Sequence, residues 1–205
     1  MPSTYVVDIT QDQEGFIWLG TFDGLVKYDG YQFLTFRNIP GDSTSLNDNS
    51  IEAIYVDFTG DLWVGTKSGL NRFESSCDCF FRYFPDPSNP NSLTPGQINT
   101  FAEDQSKTLW IGTQQGGLFR YERESDRFTR FLYDPKDLNN MIEDQVRVLL
   151  ADQNGYLWIG TGEPFDPAVT GGGLIRFNLA TGTTKRFRSE PNNPNCLIDD
   201  RVSAL

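Results

Sequence analysis

The sequence predicts an all-β fold, a β-propeller of four-stranded antiparallel blades. Three observations carry that prediction. First, the phrase DQEGFIWLGTFDGL at residues 12–25 returns from Asp57 as DFTGDLWVGTKSGL, from Asp104 as DQSKTLWIGTQQGGL, and from Asp152 as DQNGYLWIGTGEPFDPAVTGGGL. Second, its tryptophans, Trp18, Trp63, Trp110 and Trp158, stand 45, 47 and 48 residues apart. That period belongs to repeats in which each unit is one supersecondary block that buries its faces only against its neighbours. Third, the apolar stretches are short, aromatic or branched, and bounded by glycine, and none keeps a 3.6-residue period over three turns, so strands are expected throughout.

Each unit parses into four strands. The first is aliphatic and ends just before the recurring acid, at residues 6–11, 51–56, 98–103 and 146–151. The acid and a glycine three residues on (Asp12 and Gly15, Asp57 and Gly60, Asp152 and Gly155) then make a tight hairpin. There a carboxylate accepts backbone N–H groups and glycine supplies a positive φ. Lys107 stands in for that glycine in the third copy. The second strand holds the tryptophan, a large ring expected to fill the space between adjacent sheets. The third strand is the run Leu25 to Tyr28, Leu70 to Phe73, Leu118 to Tyr121 and Leu174 to Phe177. The fourth carries aromatic pairs, Phe33 with Phe36, Phe81 with Phe84 and Phe128 with Phe131, of which the last copy keeps only Phe187. The blades therefore run 6–36, 51–84, 98–131 and 146–187, within one domain over residues 1–205.

Composition narrows the partners. With 28 acidic and 17 basic residues the net charge is −11, which removes the basic footprint that nucleic-acid binding needs. No run of 18 apolar residues offers a membrane span, and the N-terminal MPSTYVVDIT lacks the basic and apolar regions of a signal peptide. Histidine is absent, and Cys77, Cys79 and Cys196 are the only cysteines, so neither a metal site nor a disulfide framework is expected. No cofactor site can be assigned.

A four-strand meander puts the linker into the first strand and the turn between the second and third strands on one face. The linkers are long and rich in Asn, Asp and Pro, and loops on a rigid scaffold are where binding residues concentrate. In the fourth copy the turn after Trp158 is extended around GEPFDPAVTGG. It presents Glu163, Phe165 and Asp166, an aromatic plane beside two carboxylates, suited to stacking on a sugar ring and accepting its hydroxyl hydrogens. These three residues are the candidate ligand site. A Leu or Met stands five residues ahead of each following first strand, at Leu46, Leu93, Met141 and Leu197, so Val202 to Leu205 are expected to open a fifth blade.

The consensus D-x-x-G-x-(I/L)-W-(I/L/V)-G-T-x-x-G-L-x-(R/K)-(Y/F), repeated four times, resembles the two-component regulator propeller repeat, and GLVKYDGYQF at 24–33 is similar to the first blade of such propellers. The resemblance implies a seven-bladed ring, of which this chain would be the N-terminal arc. It further implies the non-enzymatic, extracytoplasmic input domain of a hybrid sensor kinase or related signalling protein. Such domains often respond to glycans and work with further blades, a membrane segment and a kinase. Two other classes stand beside it. One is a protein-docking platform, since propeller faces serve as such. The other is a glycan-active enzyme, although sialidase-type Asp boxes space their Asp and Gly differently and no arginine cluster with a paired Tyr and Glu can be assigned here.

Overall fold

The computed structural model describes residues 5–86, 88–89, 92–94, 96–131, 145–162 and 172–205. Every assigned element is a strand. The first blade holds β1 (Val6–Gln11), β2 (Ile17–Thr21), β3 (Gly24–Tyr28) and β4 (Phe33–Phe36), and the second holds β5 (Ile51–Val56), β6 (Leu62–Thr66), β7 (Gly69–Glu74) and β8 (Cys79–Tyr83). The third holds β9 (Ile98–Glu103), β10 (Leu109–Thr113), β11 (Leu118–Glu122) and β12 (Arg127–Phe131). The fourth holds β13 (Val146–Ala151), β14 (Tyr156–Thr161), β15 (Gly173–Asn178) and β16 (Thr184–Phe187). Each set of four is its own sheet, ordered as a simple meander. These are blades of a β-propeller. The chain divides into two compact units, Met1–Asn99 and Thr100–Leu205.

The repeated phrase turns out to be a hydrogen-bonding device. In each copy one carboxylate oxygen of the acid accepts backbone N–H groups of the turn, for Asp12 those of Glu14 (3.0 Å) and Phe16 (2.9 Å). The other oxygen accepts the indole N–H of the tryptophan six residues on, at 2.7 Å for Asp12–Trp18 and Asp57–Trp63 and at 2.9 Å for Asp104–Trp110 and Asp152–Trp158. A buried indole needs a partner for its N–H, and the acid supplies one while closing the hairpin. The turn's fourth residue is left-handed in every copy, at φ 94° for Gly15, 91° for Gly60, 65° for Lys107 and 80° for Gly155. Lysine therefore adopts the same strained backbone that glycine adopts freely. The threonine of each Gly-Thr pair closes the next turn: Thr21, Thr66, Thr113 and Thr161 donate their hydroxyls to the carbonyls of Gly24, Gly69, Gly117 and Gly173, at 2.7–3.1 Å.

The glycine of that pair has a separate job. A Cβ on Gly20 would lie 2.8 Å from Cγ2 of Ile51, and one on Gly112 would lie 2.5 Å from Cγ1 of Val146 and 2.6 Å from Cγ2 of Thr100. The same holds for Gly65 against Ile98 (2.7 Å) and for Gly160 against Val148 (2.5 Å) and Val202 (2.9 Å). The position stays without a side chain so that a following first-strand aliphatic can seat on the backbone. Gly112→Ala is accordingly expected to destabilise by about 1–3 kcal/mol, because branched carbons rather than flexible side-chain ends must move. Urea unfolding checks it, and an unchanged midpoint refutes the role.

Packing in the first unit is aromatic. Trp18 stacks on Phe36 at 5.8 Å, and both are covered by Phe73, at 4.9 and 5.5 Å. In the second unit Trp110 and Phe131 receive Phe177 at 5.9 and 5.7 Å. A cation from the third strand lies against these rings, with the Lys27 ammonium 3.9 Å from the Phe16 centroid, 5.2 Å from that of Trp18 and 5.9 Å from that of Phe73.

Two expectations need correction, the aromatics of the second blade's last strand and the cysteines. In blade two the inward aromatics of the fourth strand are Phe80 and Tyr83, set by the pairs Phe73–Phe80 and Leu70–Tyr83, while Phe81 and Phe84 are exposed. A strand shifted by one residue turns the other face inward, and the sequence FFRYF fits either register. Trp18, Trp63 and Trp110 are buried, and Trp158, in the last blade of the given sequence, is half-buried. Val202 sits on Gly160 as Ile51 sits on Gly20, and donates its N–H to the Thr161 carbonyl at 3.1 Å. Finally, Cys77 and Cys79 are joined in a disulfide, leaving Cys196 free. The odd cysteine count argued against a framework of crosslinks, and a bridge across a single hairpin tip escapes that argument.

Candidate functional site

The sequence-predicted ligand residues Glu163, Phe165 and Asp166 lie outside the described residues. Their turn springs from β14 at Thr161 and rejoins the sheet at β15, where Thr161 still bonds the Gly173 carbonyl at 3.1 Å. The end of β14 and the start of β15 therefore lie on the same side of their blade as the β2–β3 and β6–β7 turns. In the first unit that side carries the linker from β4 to β5, held by Arg82, which donates to the carbonyls of Asp42, Ser45 and Leu46 at 2.6–2.9 Å. It also carries the exposed Arg37–Asp23 ion pair at 2.7 Å and the Ser68–Asp48 hydrogen bond at 2.5 Å. Beneath them Asn47 and the buried Asn71 satisfy each other: Asn71 Nδ2 donates to the Asn47 side-chain oxygen at 2.8 Å, and the Asn47 backbone N–H donates to Asn71 Oδ1 at 3.0 Å. Sequence patterning did not reveal this network, because single Asn residues in an Asn-rich linker look like solvated turn formers.

Carboxylate electrostatics speak to structure. Asp29 is held below the ordinary carboxylate range by the Gln32 N–H, Asp152 by the Tyr156 N–H, Asp42 by the Thr44 hydroxyl, and Asp86 by the Ser88 hydroxyl. Asp199 is held far below it by the Arg201 guanidinium. Asp8 is the reverse case: burial raises it, against the bond it accepts from the Ile54 N–H at 2.8 Å. Among the described residues no three His, Cys, Asp or Glu side chains converge on a point where a metal ion could sit. Also among them, no helix is long and apolar enough to cross a membrane.

One cavity, of about 630 Å³, opens beside blade four. Its lining includes the half-buried Trp158, Leu174, Phe187 and Leu197 and the exposed Lys185, Arg188 and Glu190. These aromatic and charged side chains together could hold a flat, anionic molecule. The comparison with blade one decides against that reading. Trp158 stacks on Phe187 at 6.1 Å as Trp18 stacks on Phe36, and Leu197 corresponds to Leu46, but in blade one the space over this stack is filled by Phe73 and Phe80. The cavity has the walls of a slot between sheets. Half-exposure of Trp158 follows from the same fact.

Residues 1–23, 45–68, 92–115 and 140–163 each match the two component regulator propeller family. The crystal structure of the extracellular domain of a putative hybrid two component system from B. thetaiotaomicron, BT3049, superposes with a TM-score of 0.78 at 27% identity over 93% of this chain. A second extracellular domain from the same organism, of the putative one component system BT4673, superposes at 0.76 with 22% identity over 98% of the chain and so supports the fold alone. The chain spans 25% and 24% of those two domains. A 42-residue stretch is 55% identical to histidine kinase P4 of Formosa agariphila, covering 20% of this chain and 3% of that protein. Four two component regulator propeller repeats therefore run through this chain, and four blades are formed from them.

Proposed function

We propose that this chain is part of a non-enzymatic, ligand-sensing input domain of a two-component signalling protein, located outside the cytoplasm. The observation that carries the proposal is the match of four repeats to the family together with the 0.78 superposition on an extracellular domain of a hybrid system. The Cys77–Cys79 disulfide supports the location, since disulfides persist in oxidising compartments. The hydrogen-bonded acids support the absence of catalysis. Acid–base chemistry at neutral pH calls for a carboxyl raised beside one that stays ionised, whereas the turn acids spend both oxygens on backbone and indole N–H groups and Asp8 is engaged with the Ile54 backbone.

Glycans are the proposed ligand class, with Glu163, Phe165 and Asp166 in the contact surface and further blades and signalling domains of the full-length protein as partners. The test replaces residues 163–170 in the full-length protein with a short glycine turn and measures melting temperature, glycan-induced thermal shift and signalling output. Lost response with retained melting temperature is expected. Unchanged affinity and output refute the loop's role, and turnover of any glycan by the intact protein refutes the non-enzymatic reading.

A further inference from the structure

We infer that the Cys77–Cys79 disulfide is a thiol–disulfide exchange site, open to small-molecule thiols at the tip of the β7–β8 hairpin. The hairpin does not need it. In blade three the same turn is built from Glu122 to Arg127, with Ser125 and Arg127 where blade two has Cys77 and Cys79. The backbones agree: Asp78 and Asp126 lie at φ 50° and 51°. The Cys77 N–H bonds the Glu74 carbonyl at 3.4 Å as the Ser125 N–H bonds that of Glu122 at 3.2 Å. The strands below are paired in the same register, Glu74 with Cys79 and Glu122 with Arg127. A sulfur bridge laid over a turn that forms without it constrains a very short loop, and exposed disulfides of that kind are the ones that exchange.

Exposure sets the direction of attack. Residues 74–78 are exposed and Cys79 is half-buried, so an incoming thiolate meets the Cys77 sulfur first. The bond from Cys77 to the thiol's sulfur forms as the Cys77–Cys79 bond breaks, and Cys79 leaves as a thiolate that takes a proton from water. A second thiolate then attacks the outer sulfur of the mixed disulfide, releasing the Cys77 thiolate and one molecule of oxidised thiol. Two electrons pass from two small thiols to the protein disulfide. Glu74 and Asp78 give the tip negative charge, which favours a cationic thiol such as cysteamine over an anionic one such as glutathione.

The experiment equilibrates the protein in cysteamine–cystamine buffers, traps thiols by alkylation and counts them by mass, with Cys196 as the thiol present in every state and an oxidised peptide of residues 74–80 as reference. Cys77 and Cys79 are expected to become alkylated together with an equilibrium constant within about tenfold of the peptide's. The rate with cysteamine should exceed that with glutathione. Reduction should lower the melting temperature by no more than about 6 °C. Cys79→Ser should accumulate a cysteamine adduct on Cys77. A constant further from the peptide's, a larger fall in melting temperature, no preference for cysteamine, absence of the adduct, or three free thiols in the protein as isolated each overturns the assignment.

Discussion

Trp110→Ala is expected to destabilise the protein by about 3–5 kcal/mol. The ring is 3% exposed and sits 5.3 Å from Phe131 and 5.9 Å from Phe177, so its removal empties a space that two sheets share. It also leaves the Asp104 carboxylate, itself buried, without the indole N–H that it receives at 2.9 Å. Urea titration checks the loss, and an unchanged midpoint would show that burial between sheets is not what Trp110 contributes.

Asp57→Ala is expected to cost about 2–4 kcal/mol, because it strands several donors at once where each unsatisfied buried group costs about 1–3 kcal/mol. One oxygen accepts the Thr59 N–H at 2.9 Å, the Thr59 hydroxyl at 2.6 Å and the Asp61 N–H at 3.1 Å. The other accepts the Trp63 indole N–H at 2.7 Å, with Trp63 fully buried. Asp57→Asn should recover only part of the loss, since its amide nitrogen brings a donor to a place where every neighbour already donates. Combining Asp57→Ala with Trp63→Phe gives the coupling directly: the double variant should be less damaged than the two single losses added together. Additive losses would mean that the acid serves the turn alone and that its six-residue distance from the tryptophan is incidental.

Much of this was legible in one sequence, for a physical reason. A blade recurs because each sheet meets the same problem at its flanks, and the same residues solve it four times; Asp12, Trp18 and the later glycines could be compared with their own copies. Repetition fixed the strands of the first position to the residue, from Val6–Gln11 to Val146–Ala151, since each is bounded by an acid whose turn geometry is local. It also identified the acids as turn formers, although the indole bond that explains their spacing needs the two strands folded together. Registers without a local marker were not decided there. Phe80 and Phe81 are chemically interchangeable, and only pairing of β8 on β7 turned Phe80 inward.

The sequence by itself determined the all-β class and the four-blade repeat, because these rest on periodicity and on turns closed within a few residues. Tertiary structure alone decided what the Gly-Thr glycines are for, which rings cover the tryptophans, and that Cys77 and Cys79 meet. Each of those depends on which distant atoms arrive within contact distance: Val146 over Gly112, Phe73 over Trp18, and two sulfurs across a hairpin whose twin in blade three has none.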